Sequence, residues 1–116
     1  MYLGYIIVGA LLAAVLLSSA AAKLTKAEMV VDSLTGIGVS LKLFPFLAGC
    51  EIAGAAGLVA GIWWAPLGIA AAVGVVLYFV GAVGAHLRKR DLQGAQTPAV
   101  YLIFGIAALV LRVVSL

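Results

Sequence analysis

The chain has 116 residues, of which 66% are hydrophobic and only 9% are charged. An ordinary soluble domain has roughly 25% charged residues, and a small one has too much surface for its volume to bury so much apolar area. The composition therefore excludes a water-soluble fold and predicts an integral membrane protein. The net charge of +3 does not indicate nucleic-acid binding, because the basic residues flank apolar segments, where they set topology and contact anionic lipids.

Four apolar segments follow one another, each close to the roughly 20 residues that cross the hydrocarbon core. The first lacks the basic start of a cleavable signal peptide, so we expect it to be retained as a helix. Pro45 and Pro66 suit the first turns of the second and third segments, and Thr97-Pro98 is a typical start for the fourth. The expected spans are residues 2–22, 43–62, 66–87 and 98–115 of a single domain that covers residues 1–116.

The connection between the first two spans is the only sizeable one. Thr25 and Glu28 have the spacing of a capping box, in which each side chain satisfies a free backbone N–H. Apolar residues then recur at helical spacing, which predicts a short amphipathic helix at the membrane surface. The expected fold is all-α: a four-helix transmembrane bundle with one interfacial helix between its first two spans.

Basic residues indicate the orientation. Six of them lie in two loops that share one side of the membrane: Lys23, Lys26, Lys42, Arg88, Lys89 and Arg90. By the positive-inside rule, loops 23–42 and 88–97 are expected in the cytoplasm, with both termini outside. Arg112, near the other side, is expected to extend to the outer interface.

Small residues predict where the helices touch. Lipid gives no hydrophobic drive between helices, so close backbone approach must hold them together. The second span carries small residues four positions apart, and we expect them to form a helix contact: Gly49, Ala53, Gly57 and Gly61.

Glu51 is the polar residue that matters most. It lies six residues past Pro45 and hence about 9 Å inside the boundary at 1.5 Å per residue, where an unpaired carboxylate costs several kcal/mol. The sequence leaves open whether it pins the helices as a structural partner or serves a function. The polar side chains expected near one another at this depth are Ser19, Lys23, Glu51, Tyr78, His86 and Arg88.

These residues do not form a recognisable catalytic or metal-binding set. One histidine and one buried acid fall short of the usual ligand sets of metals, and Cys50, the single cysteine, is expected to be a packing residue. We therefore expect no covalently bound or metal-ligated cofactor and no catalytic residue. A quinone or a lipid is the candidate ligand.

Three short motifs resemble the DoxX-like family of small four-helix bacterial membrane proteins. They are Ser18 to Leu24, Glu51-Ile52-Ala53-Gly54 and Ala85-His86-Leu87-Arg88, and the likeness includes the Trp63 to Pro66 turn. The resemblance implies the four-helix fold, a bacterial plasma membrane location, and Lys23, Glu51, His86 and Arg88 as family-like positions without fixed roles. The family takes its name from a subunit of a thiosulfate:quinone oxidoreductase.

The leading interpretation is a small non-enzymatic subunit that binds and stabilises a larger respiratory, redox or lipid-transport complex. We expect it to be non-enzymatic because no soluble domain is present to hold a redox cofactor. The expected partners are other integral membrane proteins and lipids. One alternative is a quinone-site subunit in which Glu51, Tyr78 and His86 bind the head group. Another is a proton-coupled transporter that uses Glu51. Small multidrug transporters place their acid in the first helix, whereas the first helix here has no charge before Lys23.

Overall fold

The computed structural model describes all 116 residues, and every regular element is helical. The elements are α1 (Tyr2–Leu24), α2 (Glu28–Gly36), a short 3₁₀ turn (Leu41–Leu43), α3 (Phe44–Ala60), α4 (Ala65–Arg88) and α5 (Leu92–Val114). Four helical segments are long and apolar enough to cross a membrane: α1, α3 with its preceding 3₁₀ turn, α4 and α5. The predicted all-α membrane fold is confirmed.

The four long helices form an antiparallel ring. α1 packs against α3 and α5, and α4 packs against the same two helices. The bundle is 41 Å long, which matches the roughly 40–45 Å of a bilayer with its head-group regions. We call the end that holds α2 and residues 89–91 the loop end, and the end that holds both termini and the turn at residues 61–64 the terminal end.

Large apolar side chains cover the outside of the ring as well as its interior. Leu12, Leu16 and Leu58 are almost fully buried in the core, whereas Leu11 and Ile103 are about two-thirds exposed. A helix that is apolar all round is suited to lipid, where backbone hydrogen bonds must be satisfied within each segment. Trp63 and Trp64 are exposed at the terminal end, the position of an aromatic belt.

The interfacial helix α2 is present, but its predicted capping box is wrong. Ala27 precedes the helix and provides no side-chain cap. The Thr25 hydroxyl instead donates to the carbonyls of Ala21 and Ala22. Because α1 continues to Leu24, Thr25 follows the end of that helix, and its hydroxyl adds a further donor to carbonyls that already accept from the Thr25 and Ala27 N–H groups.

The fourth span begins six residues earlier than predicted. α5 starts at Leu92, and Pro98 lies inside it. The Asp91 side chain caps the helix by accepting a hydrogen bond of 2.9 Å from the Gly94 N–H. Pro98 removes the bond that its own N–H would have made to the Gly94 carbonyl, a local loss that the helix tolerates near its start.

The predicted small-residue row makes contact along only half its length. A Cβ added to Gly57 would lie 2.6 Å from the Ala71 Cβ, and one added to Gly61 would overlap the Gly68 backbone, so α3 and α4 touch there. At the loop-end half of the row, nothing lies within 4 Å of a Cβ added to Gly49, and Ala53 is exposed. The helix contact is therefore limited to the part of the row nearest the turn at residues 61–64.

Candidate functional site

A buried ion pair joins α1 to α3 near the loop end. The Lys23 ammonium donates to Glu51 Oε1 at 2.7 Å and to the Ser19 hydroxyl at 2.8 Å. Glu51 is 2% exposed and Lys23 is 8% exposed. Ser19 and Lys23 share a helix face because they are four residues apart, so the Ser19 hydroxyl helps to hold the Lys23 ammonium in position for Glu51 on α3.

The positions of the two charges follow from the helix ends. Lys23 lies in the last turn of α1, where a cation is favourable next to the free carbonyls. Glu51 lies in the second turn of α3, on the face that packs against α1. Each charge offsets the cost of burying the other, whereas loss of either one would leave a charge without a partner in a medium of low dielectric.

The second carboxylate oxygen of Glu51, Oε2, takes no part in the ion pair with Lys23. Oε2 is the only buried side-chain nitrogen or oxygen atom without a hydrogen-bond partner. The Tyr78 hydroxyl on α4 lies beside the Glu51 carboxylate as a potential donor, although its geometry falls outside that of a hydrogen bond to this oxygen. A buried acceptor left unpaired is costly, and it marks Oε2 as the point at which the site is incomplete.

His86 is buried nearby but has a partner of its own. Its Nδ1 lies 2.9 Å from Asp91 Oδ2, while Asp91 Oδ1 accepts from the Gly94 N–H. The hydrogen bond with His86, followed by that from Gly94, holds the pKa of Asp91 below its ordinary value. His86 is thus tied to the turn between α4 and α5, and makes no hydrogen bond to Glu51.

Asp91 is a residue that sequence reasoning missed. It follows a run of three basic residues in the connection between the third and fourth spans. Arg90 has a φ of 56°, in the left-handed region, and this turn returns the chain so that Asp91 reaches back to His86. The acid before an apolar segment was an available signal, because aspartate is a preferred N-cap. Arg88, which was expected in the cluster, is exposed.

Five of the six polar residues predicted to cluster line one cavity at the loop end. This loop-end cavity has a volume of about 550 Å³, within the usual range of small-molecule sites. Apolar side chains from α2, α3, α4 and α5 form much of its wall, together with the polar residues Ser19, Lys23, Glu51, Tyr78 and His86. Of the six residues predicted to cluster, only Arg88 does not line it.

A second depression lies along the outside of the bundle. This α3–α4 groove has a volume of about 630 Å³ and is lined mainly by small and apolar residues, including Cys50, Ala53, Gly57, Ala70 and Gly74. Cys50 is exposed there, so it does not pack inside the bundle as expected. Glu51, Leu77 and Tyr78 line both depressions, so the Glu51 carboxylate lies where the groove and the cavity meet.

At the terminal end, Arg112 does not extend to the interface as expected; it is 7% exposed. Its Nε donates to the Gly61 carbonyl at 2.9 Å, and its Nη1 donates to the Ser115 hydroxyl at 2.8 Å. The guanidinium lies 5.2 Å from the centre of the Tyr2 ring and 5.5 Å from that of Tyr5, within cation–π range.

Three side chains together satisfy the free end of α3. The Tyr5 hydroxyl donates to the Leu58 carbonyl at 2.6 Å, Tyr2 donates to the Ile62 carbonyl, and Arg112 donates to Gly61. Carbonyls at the end of a helix have no intrahelical partner, and a cation there is electrostatically favourable. Arg112 is thus a structural residue that ties α1, α3 and α5 together.

The fold and the buried ion pair define a small multi-pass membrane protein in which four charged or titratable side chains are buried: Lys23, Glu51, His86 and Arg112. No group of three histidine, cysteine, aspartate or glutamate residues is placed to hold a metal ion. The chain belongs to the DoxX-like family, whose model matches residues 7–108, so the resemblance seen in the sequence is confirmed. No curated protein and no solved structure matches the chain.

Proposed function

We propose that this protein is a small non-enzymatic membrane subunit that binds a larger integral membrane protein and stabilises the resulting complex. The observation that carries the proposal is a face of α4 with glycines that have no contact inside the bundle. Nothing lies within 4 Å of a Cβ added to Gly74 or Gly81. Their spacing of seven residues places them on one helix face, together with Ala70 and Leu77.

Packing within the chain does not explain these glycines. Glycine inside a helix is less favourable than alanine by about 1 kcal/mol, and here it brings no closer approach of another helix of the bundle. In lipid, small residues are favoured where helices of two proteins pack closely. The partner surface that fits is therefore a transmembrane helix seated in the α3–α4 groove, against Gly74 on one side and Ala53 on the other.

The polar residues favour a binding role over catalysis. Glu51 is engaged by Lys23 through Oε1, and His86 is held by Asp91 at the turn between α4 and α5 without a hydrogen bond to Glu51, so the two do not form the acid–base pair that catalysis by these residues would use. The same pairing counts against a proton carrier, because an acid that releases and rebinds protons would have to leave Lys23 without its counter-charge.

Substitution of one glycine on this face of α4, compared with a control position on the same helix, tests the proposal. Gly74→Ile should leave the thermal stability of the isolated protein nearly unchanged and should release the partner when the complex is isolated in mild detergent. The matched control is Val80→Ile, on an exposed position of the same helix, which should keep the partner bound. A Gly74→Ile protein that retains all its partners would contradict docking in the groove.

We also propose that the protein lies in a bacterial plasma membrane with its loop end in the cytoplasm. The exposed basic residues support this orientation. Five of them lie at the loop end: Lys26, Lys42, Arg88, Lys89 and Arg90. Arg112 is buried in the bundle, so the terminal end presents no exposed Lys or Arg, and the asymmetry has the direction that the positive-inside rule requires for a cytoplasmic loop end.

A further inference from the structure

His86 has a ring nitrogen that the fold leaves free. Its Nδ1 lies 2.9 Å from Asp91 Oδ2, and because an ionised carboxylate only accepts, Nδ1 donates and Nε2 of the neutral ring is an acceptor. Nε2 makes no hydrogen bond within the chain, yet it is not sealed off, because Glu51 Oε2 is the only enclosed side-chain polar atom without a partner. His86 is 5% exposed and lines the loop-end cavity. A largely buried acceptor is therefore open to that cavity.

Thr97 adds a second free polar group to the same wall. It lines the cavity and is exposed. The hydroxyls of Thr25 and Thr35 donate to carbonyls one turn earlier in the chain, whereas the Thr97 hydroxyl makes no hydrogen bond within the chain. Neither His86 nor Thr97 lines the α3–α4 groove. This corner of the cavity is therefore separate from the groove assigned to the partner helix, and a ligand there does not depend on the proposed assembly role.

The register of α4 against α5 places these two groups close together along the bundle. A Cβ added to Gly94 would lie 2.8 Å from His86 Nδ1, so His86 lies opposite Gly94. Thr97 is three residues further along α5, which is about 4.5 Å at 1.5 Å per residue. A small head group with two neighbouring hydroxyls is long enough to contact both side chains.

The cavity wall becomes apolar further from the loop end. Phe79 lies seven residues before His86, and Tyr101 lies seven residues after Gly94, so both are about 10 Å deeper in the bundle. Their rings line the cavity with centres 5.5 Å apart, and Leu47 of α3 lines it as well. Polar groups near the loop end and apolar groups below them follow the order of head group and acyl chain in the leaflet at that end.

The charges around the cavity favour an uncharged head group. Lys23 is paired with Glu51 at 2.7 Å, and His86 is paired with Asp91 at 2.9 Å. Arg88 is exposed and does not line the cavity. A phosphate or an ammonium group placed there would have no free counter-charge, and burial of an unpaired charge is strongly unfavourable.

We propose that the loop-end cavity binds a neutral lipid with neighbouring hydroxyls in its head group, one of which donates to His86 Nε2 while another bonds to the Thr97 hydroxyl. The acyl chain lies against Phe79 and Tyr101. Two classes of membrane lipid have this chemistry, the monoacylglycerols and the glycosyl diacylglycerols. Phosphatidylglycerol carries the same diol next to a charged phosphate, so it should bind much more weakly.

Titration of the full-length protein with paired lipids, followed by native mass spectrometry from detergent, tests the proposal. Monooleoylglycerol is compared with its isopropylidene acetal, and glucosyl dioleoylglycerol with its tetraacetate. In at least one pair, the lipid with free hydroxyls should bind about tenfold or more tightly than its blocked analogue, as expected for the loss of two hydrogen bonds. The pair that shows this preference identifies the source of the ligand, and dioleoyl phosphatidylglycerol should bind at least about tenfold more weakly than that lipid.

Three variants locate the site in the same assay. Thr97→Val removes a hydroxyl that has no partner in the fold, so it should keep the melting temperature and weaken binding about fivefold or more. Thr35→Val, at an exposed position outside the cavity, is the control and should bind as wild type does. His86→Asn keeps a side-chain N–H for Asp91 but has no atom in the place of Nε2, so it should weaken binding about tenfold.

Three results would overturn the proposal. The first is that neither hydroxylated lipid binds. The second is that the blocked lipids or phosphatidylglycerol bind as tightly as the hydroxylated ones. The third is that Thr97→Val, or a folded His86→Asn protein, keeps the wild-type affinity.

Discussion

The Lys23 ammonium and the Glu51 carboxylate lie 2.7 Å apart across the contact between α1 and α3, with both side chains at least nine-tenths buried. No other ion pair in the chain joins two transmembrane helices. Its removal should therefore reveal how much of the bundle depends on a polar contact, as distinct from the close packing of small residues.

Glu51→Ala should lower the free energy of unfolding by about 3–5 kcal/mol, because it leaves the Lys23 ammonium buried without a counter-charge. Glu51→Gln should cost less, since the amide oxygen still accepts a hydrogen bond. The double variant Lys23→Met with Glu51→Leu should be more stable than Lys23→Met alone or Glu51→Leu alone. Unfolding in detergent, followed by circular dichroism, compares these variants with wild type, and additive losses in the double variant would show that the two charges are not coupled.

Gly57→Ile should destabilise the bundle far more than Gly49→Ile. The first side chain would meet Ala71, with even its Cβ only 2.6 Å from that methyl group, while the second enters open space. Overpacking of a tight contact typically costs about 1–3 kcal/mol. The two melting temperatures, measured in the same detergent, give the comparison. Equal shifts would mean that α3 and α4 are not in close contact at Gly57.

The sequence does not predict which residues of this small-residue row contact α4. Spacing of four residues places Gly49, Ala53, Gly57 and Gly61 on one stripe, and nothing in the pattern separates them. The separation comes from the three-dimensional path of α4, which contacts α3 at Gly57 and Gly61, near the short turn that joins the two helices, and leaves Gly49 open. Helix crossing is a property of the pair, so one helix's sequence does not contain it.

The number of spans and the burial of Glu51, by contrast, could be predicted from the sequence. Both follow from the solvent, because a run of about 20 apolar residues must cross the hydrocarbon and an acid within it must find a partner. The particular partner did not follow. Lys23 was one of five candidates, and Arg112, whose acceptor is a carbonyl 51 positions away, had no signal in its own neighbourhood.

Acidification should weaken the turn between α4 and α5. The hydrogen bonds from His86 and Gly94 hold the pKa of Asp91 below 3.8, so the folded state favours the carboxylate. Its contribution to stability is present above pH 3.8 and is lost as the pH falls below the lowered folded value. Wild type and Asp91→Ala should therefore differ in melting temperature at pH 6, and the difference should shrink below pH 3.8. A gap that does not change with pH would show that the charge of Asp91 has no role.

Reporter fusions should reveal the orientation. A reporter that is active only outside the cytoplasm should be active when fused after Leu116 and inactive when inserted after Lys89, in the turn between α4 and α5. Lys89 is a suitable insertion point because it lies before the start of α5 at Leu92. The opposite pattern would reverse the proposed topology and leave the four-helix fold unaffected.

Arg112→Met should lower the free energy of unfolding by about 2–3 kcal/mol, because it removes the charged hydrogen bond to the Gly61 carbonyl and the contact with the Tyr2 and Tyr5 rings. Arg112→Lys keeps the positive charge at the end of α3 but loses the planar group that donates to Gly61 and Ser115 together, so its loss should be intermediate. Arg88→Met, at an exposed position, is the control and should change stability by less than about 0.5 kcal/mol. Denaturant titration in one detergent compares the three variants with wild type. Equal effects of Arg112→Met and Arg88→Met would show that the guanidinium does not hold the terminal end together, and that the tyrosine hydroxyls alone satisfy the end of α3.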